Sequence, residues 1–243
     1  FLLGGPYVWL GFLTFPLLLA LDVALPDDLE PRKPGIGGMA DLALHLQLPL
    51  LITLFAAFAY SVKSGINPIV GADTSPMQLA GSIFSLVWLS AVPTLPVAHE
   101  LMHRRHWLPR FLSKLLGTFY GDPNRDIAHV ITHHIHLDTA KDSDTPRRGQ
   151  TIYSFVFQAT VGAYRDTWEM EREILIRRGF SPWNWRNRMW LQAGLLLAVP
   201  LAVGLGGGIA AGLVTVAVMA ITKLVLEGFN YFQHYGLIRV EGA

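Results

Sequence analysis

Nine histidines occur in the 243 residues, and seven of them fall between His99 and His136. The segment His99-Glu-Leu-Met-His103 follows an apolar run directly. Continued as helix, it sets two imidazoles at i and i+4 on one face, the arrangement that a single metal ion needs. His129-Val-Ile-Thr-His133-His134 repeats that spacing and adds an adjacent ring, turned about 100° around the helix. Such a box is suited to feeding two ions. A further histidine, His234, stands in Asn230-Tyr-Phe-Gln-His-Tyr-Gly236. One HxxxH taken alone is more often a pair of solvated or carbonyl-bonded rings. Two of them about 30 residues apart, beside apolar segments, reverse that preference toward metal binding.

The ligand type narrows the metal. No cysteine is present, which removes disulfides, thiolate ligands and haem-thiolate chemistry. Neutral imidazoles suit zinc, copper, iron and nickel, and a histidine-dominated site with open positions suits iron that must bind oxygen. Glu100, Asp126, Asp138, Asp142, Asp144 and Glu227 could orient ligand rings through the second ring nitrogen. Among them Glu100 and Glu227 are the candidates for the site, and Glu227 interrupts an apolar helix, where an ionisable residue usually has a function. A competing chemistry is a membrane zinc protease, because His99 to His103 spells HExxH with Glu100 as general base. That reading leaves the second box and His234 without a purpose.

These rings must be carried by elements suited to a greasy chain: 51% of residues are apolar, 15% are charged and the mean hydropathy is +0.37. Phe1 to Leu21, Leu42 to Val62 and Thr74 to Ala98 each run without Asp, Glu, Lys or Arg, long enough to cross a hydrocarbon core of about 30 Å. Met189 to Thr222 is equally charge-free; at about 50 Å as one helix it reads as a hairpin turning in Gly204-Leu-Gly-Gly-Gly-Ile-Ala-Ala-Gly212. The expected fold is an all-α, polytopic transmembrane helix bundle with a cytoplasmic histidine-rich cap. Its spans cover about residues 1–25, 42–62, 74–98, 189–204 and 209–229, with the polar cap at 99–188. Fourteen of the 19 Lys and Arg residues lie from Arg104 to Arg188, which sets that stretch inside by the positive-inside rule. Two crossings by the hairpin then return His234 to the face that holds His99 and His129. Trp183, Trp185 and Trp190 flank the start of the hairpin, where indoles favour the membrane interface.

The two boxes, the run Asp144-Thr-Pro-Arg-Arg-Gly-Gln-Thr-Ile-Tyr153 and the segment from Asn230 to Leu237 occur in the order found in a known family. From about residue 70 to its end the chain resembles the membrane-bound non-haem diiron hydroxylases of the alkane 1-monooxygenase (AlkB-type) and xylene monooxygenase hydroxylase kind. The resemblance implies a six-helix bundle, with residues 1–243 forming one integral-membrane hydroxylase domain. It implies two iron ions and O2 as co-substrate, with His99, His103, His129, His133, His134 and His234 as iron ligands. It also implies electrons from rubredoxin or ferredoxin, supplied by an NAD(P)H reductase. The expected activity is hydroxylation of a terminal or benzylic methyl C–H of a hydrophobic small molecule, alkane to 1-alkanol, in the bacterial inner membrane with the site on the cytoplasmic side. Membrane lipid is an expected partner and nucleic acid is not. A lipid desaturase or carotenoid hydroxylase also uses histidine-box iron, but the Asn-Tyr-x-x-His-Tyr-Gly motif argues against both.

Two departures stand out. Ala128 and Gln233 occupy positions where the family usually carries Glu, so any carboxylate contribution there is lost. The family also has a further three-histidine box beyond the late motif, whereas this sequence stops at Ala243 and lacks an initiator Met. A chain truncated at both ends is therefore expected to keep the fold, hold iron incompletely and turn over little. Arg104, Arg105, Arg110, Lys114, Arg147, Arg148, Arg177 and Arg178 are the expected docking surface for an acidic carrier, or else topology and headgroup determinants.

Overall fold

A computed structural model describes residues 1–26, 37–127, 129, 137, 139 and 142–237, and no strand occurs among the described residues. A 3-10 turn at Gly5–Trp9 leads into α1 (Leu10–Ala24), followed by α2 (Gly37–Lys63), α3 (Pro76–Ala91), α4 (Thr94–His103), α5 (Trp107–Phe119) and the single turn α6 (Arg125–Ile127). Then come α7 (Ile152–Arg177), α8 (Arg188–Gly207) and α9 (Ile209–His234). Among the described residues, five helical segments are long and apolar enough to cross a membrane: Gly5–Ala24, Asp41–Lys63, Pro76–His103, Arg188–Gly207 and Ile209–His234. Leu17, Leu50, Leu197, Leu201 and Leu213 stand exposed on them; in water such surface would drive aggregation, and in lipid it is solvated. The all-α reading matches these helices, and the protein is a multi-pass membrane protein.

Two compact units divide the chain. The first comprises Phe1–Val97 and Pro200–Val218. In it Ser85 of α3 donates to the Val8 carbonyl at 2.6 Å and accepts from the Phe12 N–H at 3.0 Å, serving the carbonyl and amide groups where the 3-10 turn passes into α1. Trp88 Nε1 donates to Thr14 Oγ1 at 2.8 Å, and Trp9 stacks on Phe84 with centroids 5.8 Å apart. Asn67 donates to Ser82 at 2.8 Å, a buried polar pair. Such side-chain bonds are the adhesive left to helices whose outer surfaces face lipid, where apolar burial gives little net drive.

Sequence pattern suggests one helix through the third span and into the first histidine box; the helix instead breaks at Val92–Pro93 and resumes at Thr94. Val92 keeps helical dihedrals, but Pro93 has no N–H to donate to the Leu89 carbonyl four residues back. Thr94 Oγ1 donates to the Leu89 carbonyl at 2.9 Å, supplying a partner at the interruption.

The charge-free run from Met189 does turn back on itself. Gly208 sits between α8 and α9 at φ +91°, left-handed backbone that suits glycine. The arms lie in backbone contact: a Cβ on Gly212 would meet the Pro200 carbonyl oxygen at 2.9 Å and the Gly204 Cα at 3.2 Å.

The second unit comprises Ala98–Val199 and Met219–Ala243. In α7, Thr167, Ala163 and Glu171 are buried along one face, and the side chain of Asn124 donates to Thr167 Oγ1 at 3.2 Å and to the Ala163 carbonyl at 3.4 Å. Tyr164 of the same helix donates its hydroxyl to the Gly121 carbonyl at 2.7 Å. Burial pushes the Tyr164 phenol well above its ordinary pKa, so it remains a donor.

Because the obstacle at Gly212 is backbone, Gly212→Val must force the arms apart and is expected to lower stability by about 1–3 kcal/mol. Thermal unfolding of the detergent-solubilised variant checks this; an unchanged midpoint would show that the arms separate freely.

Candidate metal centre

α4 ends on His99 and His103, one helical turn apart, with ring centroids separated by 4.7 Å. His129, two residues beyond α6, brings its ring to 5.0 Å from His99 and 6.4 Å from His103. His99 Nε2 lies 3.1 Å from His129 Nε2 and 3.4 Å from His103 Nε2. One ligand nitrogen of each ring falls within 4.8 Å of the other two. A metal–imidazole bond of about 2.0–2.1 Å sets neighbouring ligand nitrogens about 2.8–3.4 Å apart in octahedral or tetrahedral coordination. The two separations from His99 match that requirement and the third pair lies within 4.8 Å, so the three rings can converge on a single ion. His99 and His129 are half-buried and His103 is exposed.

α5 holds both ligand segments. Ser113 donates to the carbonyl of Ala98, the residue before His99, at 2.8 Å. Its neighbour Lys114 reaches both carboxylate oxygens of Asp126 in α6, at 2.5 and 2.6 Å, three residues before His129. His106 is no ligand here: its Nδ1 accepts the Leu108 N–H at 3.3 Å and caps α5.

Beyond α6 lies a buried ionic cluster. Arg125 approaches Asp122 at 3.3 Å and Glu227 at 3.5 Å. Lys223 of α9 binds Asp122 at 2.5 Å and Glu227 at 2.6 Å. All four side chains are at most 8% exposed. Burial opposes the charge on Arg125, but Glu227 and Asp122 more than offset it and hold the guanidinium above its ordinary pKa. Burial, with Asp122 next in effect, likewise raises the Tyr120 phenol. Asn230 donates to Glu227 Oε2 and to the Asp144 carbonyl, each at 3.3 Å. The Tyr231 hydroxyl donates to the Gln150 carbonyl at 2.7 Å, and the Tyr235 hydroxyl accepts the Gly149 N–H at 3.3 Å. The late motif thus clasps the 144–150 run, two stretches that the sequence pattern singled out separately.

Of the expected ligands, the structure brings together His99, His103 and His129. His133 and His134 lie outside the described residues. His234 ends α9 half-buried and is not one of the three clustered rings. Glu100 is exposed and paired with Arg104 at 2.9 Å, and Glu227 bonds cations and Asn230. Asp126 holds Lys114, and Asp142 closes its own turn by accepting the Asp144 N–H at 3.0 Å and the Thr145 hydroxyl at 2.6 Å. Sequence reasoning overlooked Asp122, Arg125 and Lys223. A signal was present in Lys223 and Glu227, one turn apart inside an apolar helix, since charges there demand counter-charges.

The fatty acid desaturase family profile matches residues 74–242 of this chain. The chain belongs to the fatty acid desaturase family. It is 57% identical over 239 residues to the xylene/toluene monooxygenase hydroxylase component XylM of Pseudomonas putida, an alignment covering 98% of this chain and 63% of that protein. It is 30% identical over 265 residues to alkane 1-monooxygenase of Ectopseudomonas oleovorans, covering 96% and 65%. With alkane 1-monooxygenase 1 of Pseudomonas aeruginosa it shares 31% over 231 residues, covering 93% and 58%. The chain spans 58–65% of the length of these relatives. They set it among the XylM- and AlkB-type members of the desaturase family, in agreement with the resemblance carried by the histidine motifs.

Removing one member of the buried cluster strands its partners. Lys223→Met is expected to cost about 3–5 kcal/mol, whereas Lys223→Met combined with Glu227→Leu, which leaves Asp122 with Arg125, should cost less. Thermal midpoints of both variants in detergent decide it: a double variant no more stable than the single would refute the assignment of mutual charge compensation.

Proposed function

We propose that this protein hydroxylates a methyl C–H bond of a hydrophobic small molecule, an alkane to a 1-alkanol or a methyl-aromatic to a benzylic alcohol, at irons held by histidine. The observation that carries the reading is the convergence of three thiolate-free imidazoles in a chain similar over 98% of its length to a monooxygenase hydroxylase component. His99, His103 and His129 would hold one iron, and His133, His134 and His234 would contribute ligands toward a second. Bound there, iron supplies the oxygen-activating redox chemistry that no side chain of this protein possesses. The reaction is RH + O2 + 2 e⁻ + 2 H⁺ → ROH + H2O.

The chain's own contribution is positional. The α5 contacts of Ser113 and Lys114 steady the two ligand segments, and positioning of this kind lets one C–H bond be presented repeatedly to the same site. An apolar substrate would reach the site from the lipid between helices, with the histidines on the cytoplasmic side of the bacterial inner membrane as the Lys and Arg distribution favours. Electrons would come from a rubredoxin or ferredoxin and its NAD(P)H reductase. Arg147 and Arg148 are exposed and suit an acidic carrier; Lys114 is engaged by Asp126, and Arg104 and Arg177 by Glu100 and Glu173.

The whole protein in membranes, given 18O2, NADH, reductase and carrier with xylene or octane, is expected to yield alcohol carrying one labelled oxygen, and residues 1–243 alone to yield little. His99→Ala should lose most of the bound iron and the product together. An alkene in place of the alcohol would assign desaturation, and tightly bound zinc with peptide cleavage would return the protease reading.

Arg147→Glu with Arg148→Glu is expected to raise the apparent KM for the carrier about tenfold or more with little change in kcat. Steady-state rates at varied carrier concentration measure this. An unaltered KM would leave these arginines a role in topology alone.

A further inference from the structure

The connection between α7 and α8 borders an open cleft of about 410 Å³, within the range of about 300–1,000 Å³ usual for small-molecule sites. Ile174 and Leu175 of α7 contribute apolar lining, and Arg178, Arg186 and Arg188 line it with a single carboxylate, Glu171. That carboxylate is already committed. Glu171, 2% exposed, accepts the Arg188 backbone N–H at 3.0 Å and Arg188 Nε at 2.7 Å. Arg188 is thereby neutralised and its backbone fixed.

The other two cations are not neutralised. Arg178 and Arg186 have no ion-pair partner among the described residues. Arg186 is held by aromatic faces, its guanidinium 4.6 Å from the Phe180 centroid and 4.9 Å from that of Trp185. Ring faces orient a guanidinium without cancelling its charge or occupying its N–H fork. Two uncompensated guanidiniums on one cavity form a receptor for an oxyanion, and the planar fork matches phosphate bidentately.

The position of the cavity selects which phosphate. Arg188 opens α8, one of the helices long and apolar enough to cross a membrane. Trp183, Trp185 and Trp190, on the same connection and its first helical turn, are 68%, 77% and 44% exposed. Exposed indoles beside the start of a span belong at headgroup depth, where phospholipid phosphate is the abundant anion. From the two unpaired arginines, the aromatic support of Arg186 and the adjoining exposed tryptophans, we infer that this cavity binds the phosphate of an anionic phospholipid.

The full protein in neutral detergent, exposed to phosphatidylglycerol or phosphatidylcholine at equal mole fraction, tests this by native mass spectrometry. Selective, saturable retention of phosphatidylglycerol is expected. Arg178→Gln with Arg186→Gln should weaken retention about tenfold or more, with helix content intact because both side chains are exposed. Arg147→Gln with Arg148→Gln, an exposed pair of the same charge, should leave it unchanged. Equal retention of both lipids, or equal loss with the control pair, would overturn the inference in favour of general basicity. Competition by inorganic phosphate without any lipid preference would assign a soluble anion instead. Retained lipid with lost binding of an acidic carrier would assign the cavity to a protein contact.

Discussion

A charge inside an apolar helix has to find its complement within the protein, and Lys223 and Glu227 impose that demand on the region around the candidate centre. The complement comes from outside the span: Asp122 answers Lys223, and Arg125 approaches Glu227. Asp122 and Arg125 belong to the short segment from which the chain runs to His129, so satisfying the buried charges also helps to place His129. A neutral core of the same volume could be as stable. What the ions add is one arrangement of charge partners, since a displaced turn would leave carboxylates and cations unmatched in a low-dielectric environment.

The same helix end makes a second connection. Asn230 bridges from Glu227 to the Asp144 carbonyl, while Tyr231 and Tyr235 engage Gln150 and Gly149. Polar side chains at the close of α9 therefore supply partners to backbone groups of a connection that has no regular structure to satisfy them. The recurrence of these two stretches in one family's order has a physical basis in this contact: each is half of one clasp.

Much of the fold was legible because its signals are local. Charge-free runs reveal the spans, and the glycine cluster around Gly208 reveals the turn between the two arms. The i, i+4 spacing of His99 and His103 puts both rings on one helical face whether or not the span is continuous, so the break at Val92–Pro93 did not disturb that pairing. Pro93 itself carried the warning. Contacts across long sequence distances were not legible. Nothing about Ser113 announces that its hydroxyl will meet the Ala98 carbonyl, and Lys114 looked like one more surface cation before Asp126 claimed it. For Glu100 a cationic donor was present in sequence as Arg104, one turn away, and that pair forms.

Because Ser113 and Lys114 are neighbours on α5 and each grips a different histidine-bearing segment, the spacing of the His99 and His129 segments is gauged by one short helix. The length of chain between them matters less than the rotational phase of that helix. Inserting one residue ahead of Ser113 would rotate the pair by about 100° relative to the start of α5, releasing both grips at once. The convergence of the three rings would then be lost through a change that alters no imidazole, which makes α5 a segment intolerant of insertion or deletion in any redesign of this site.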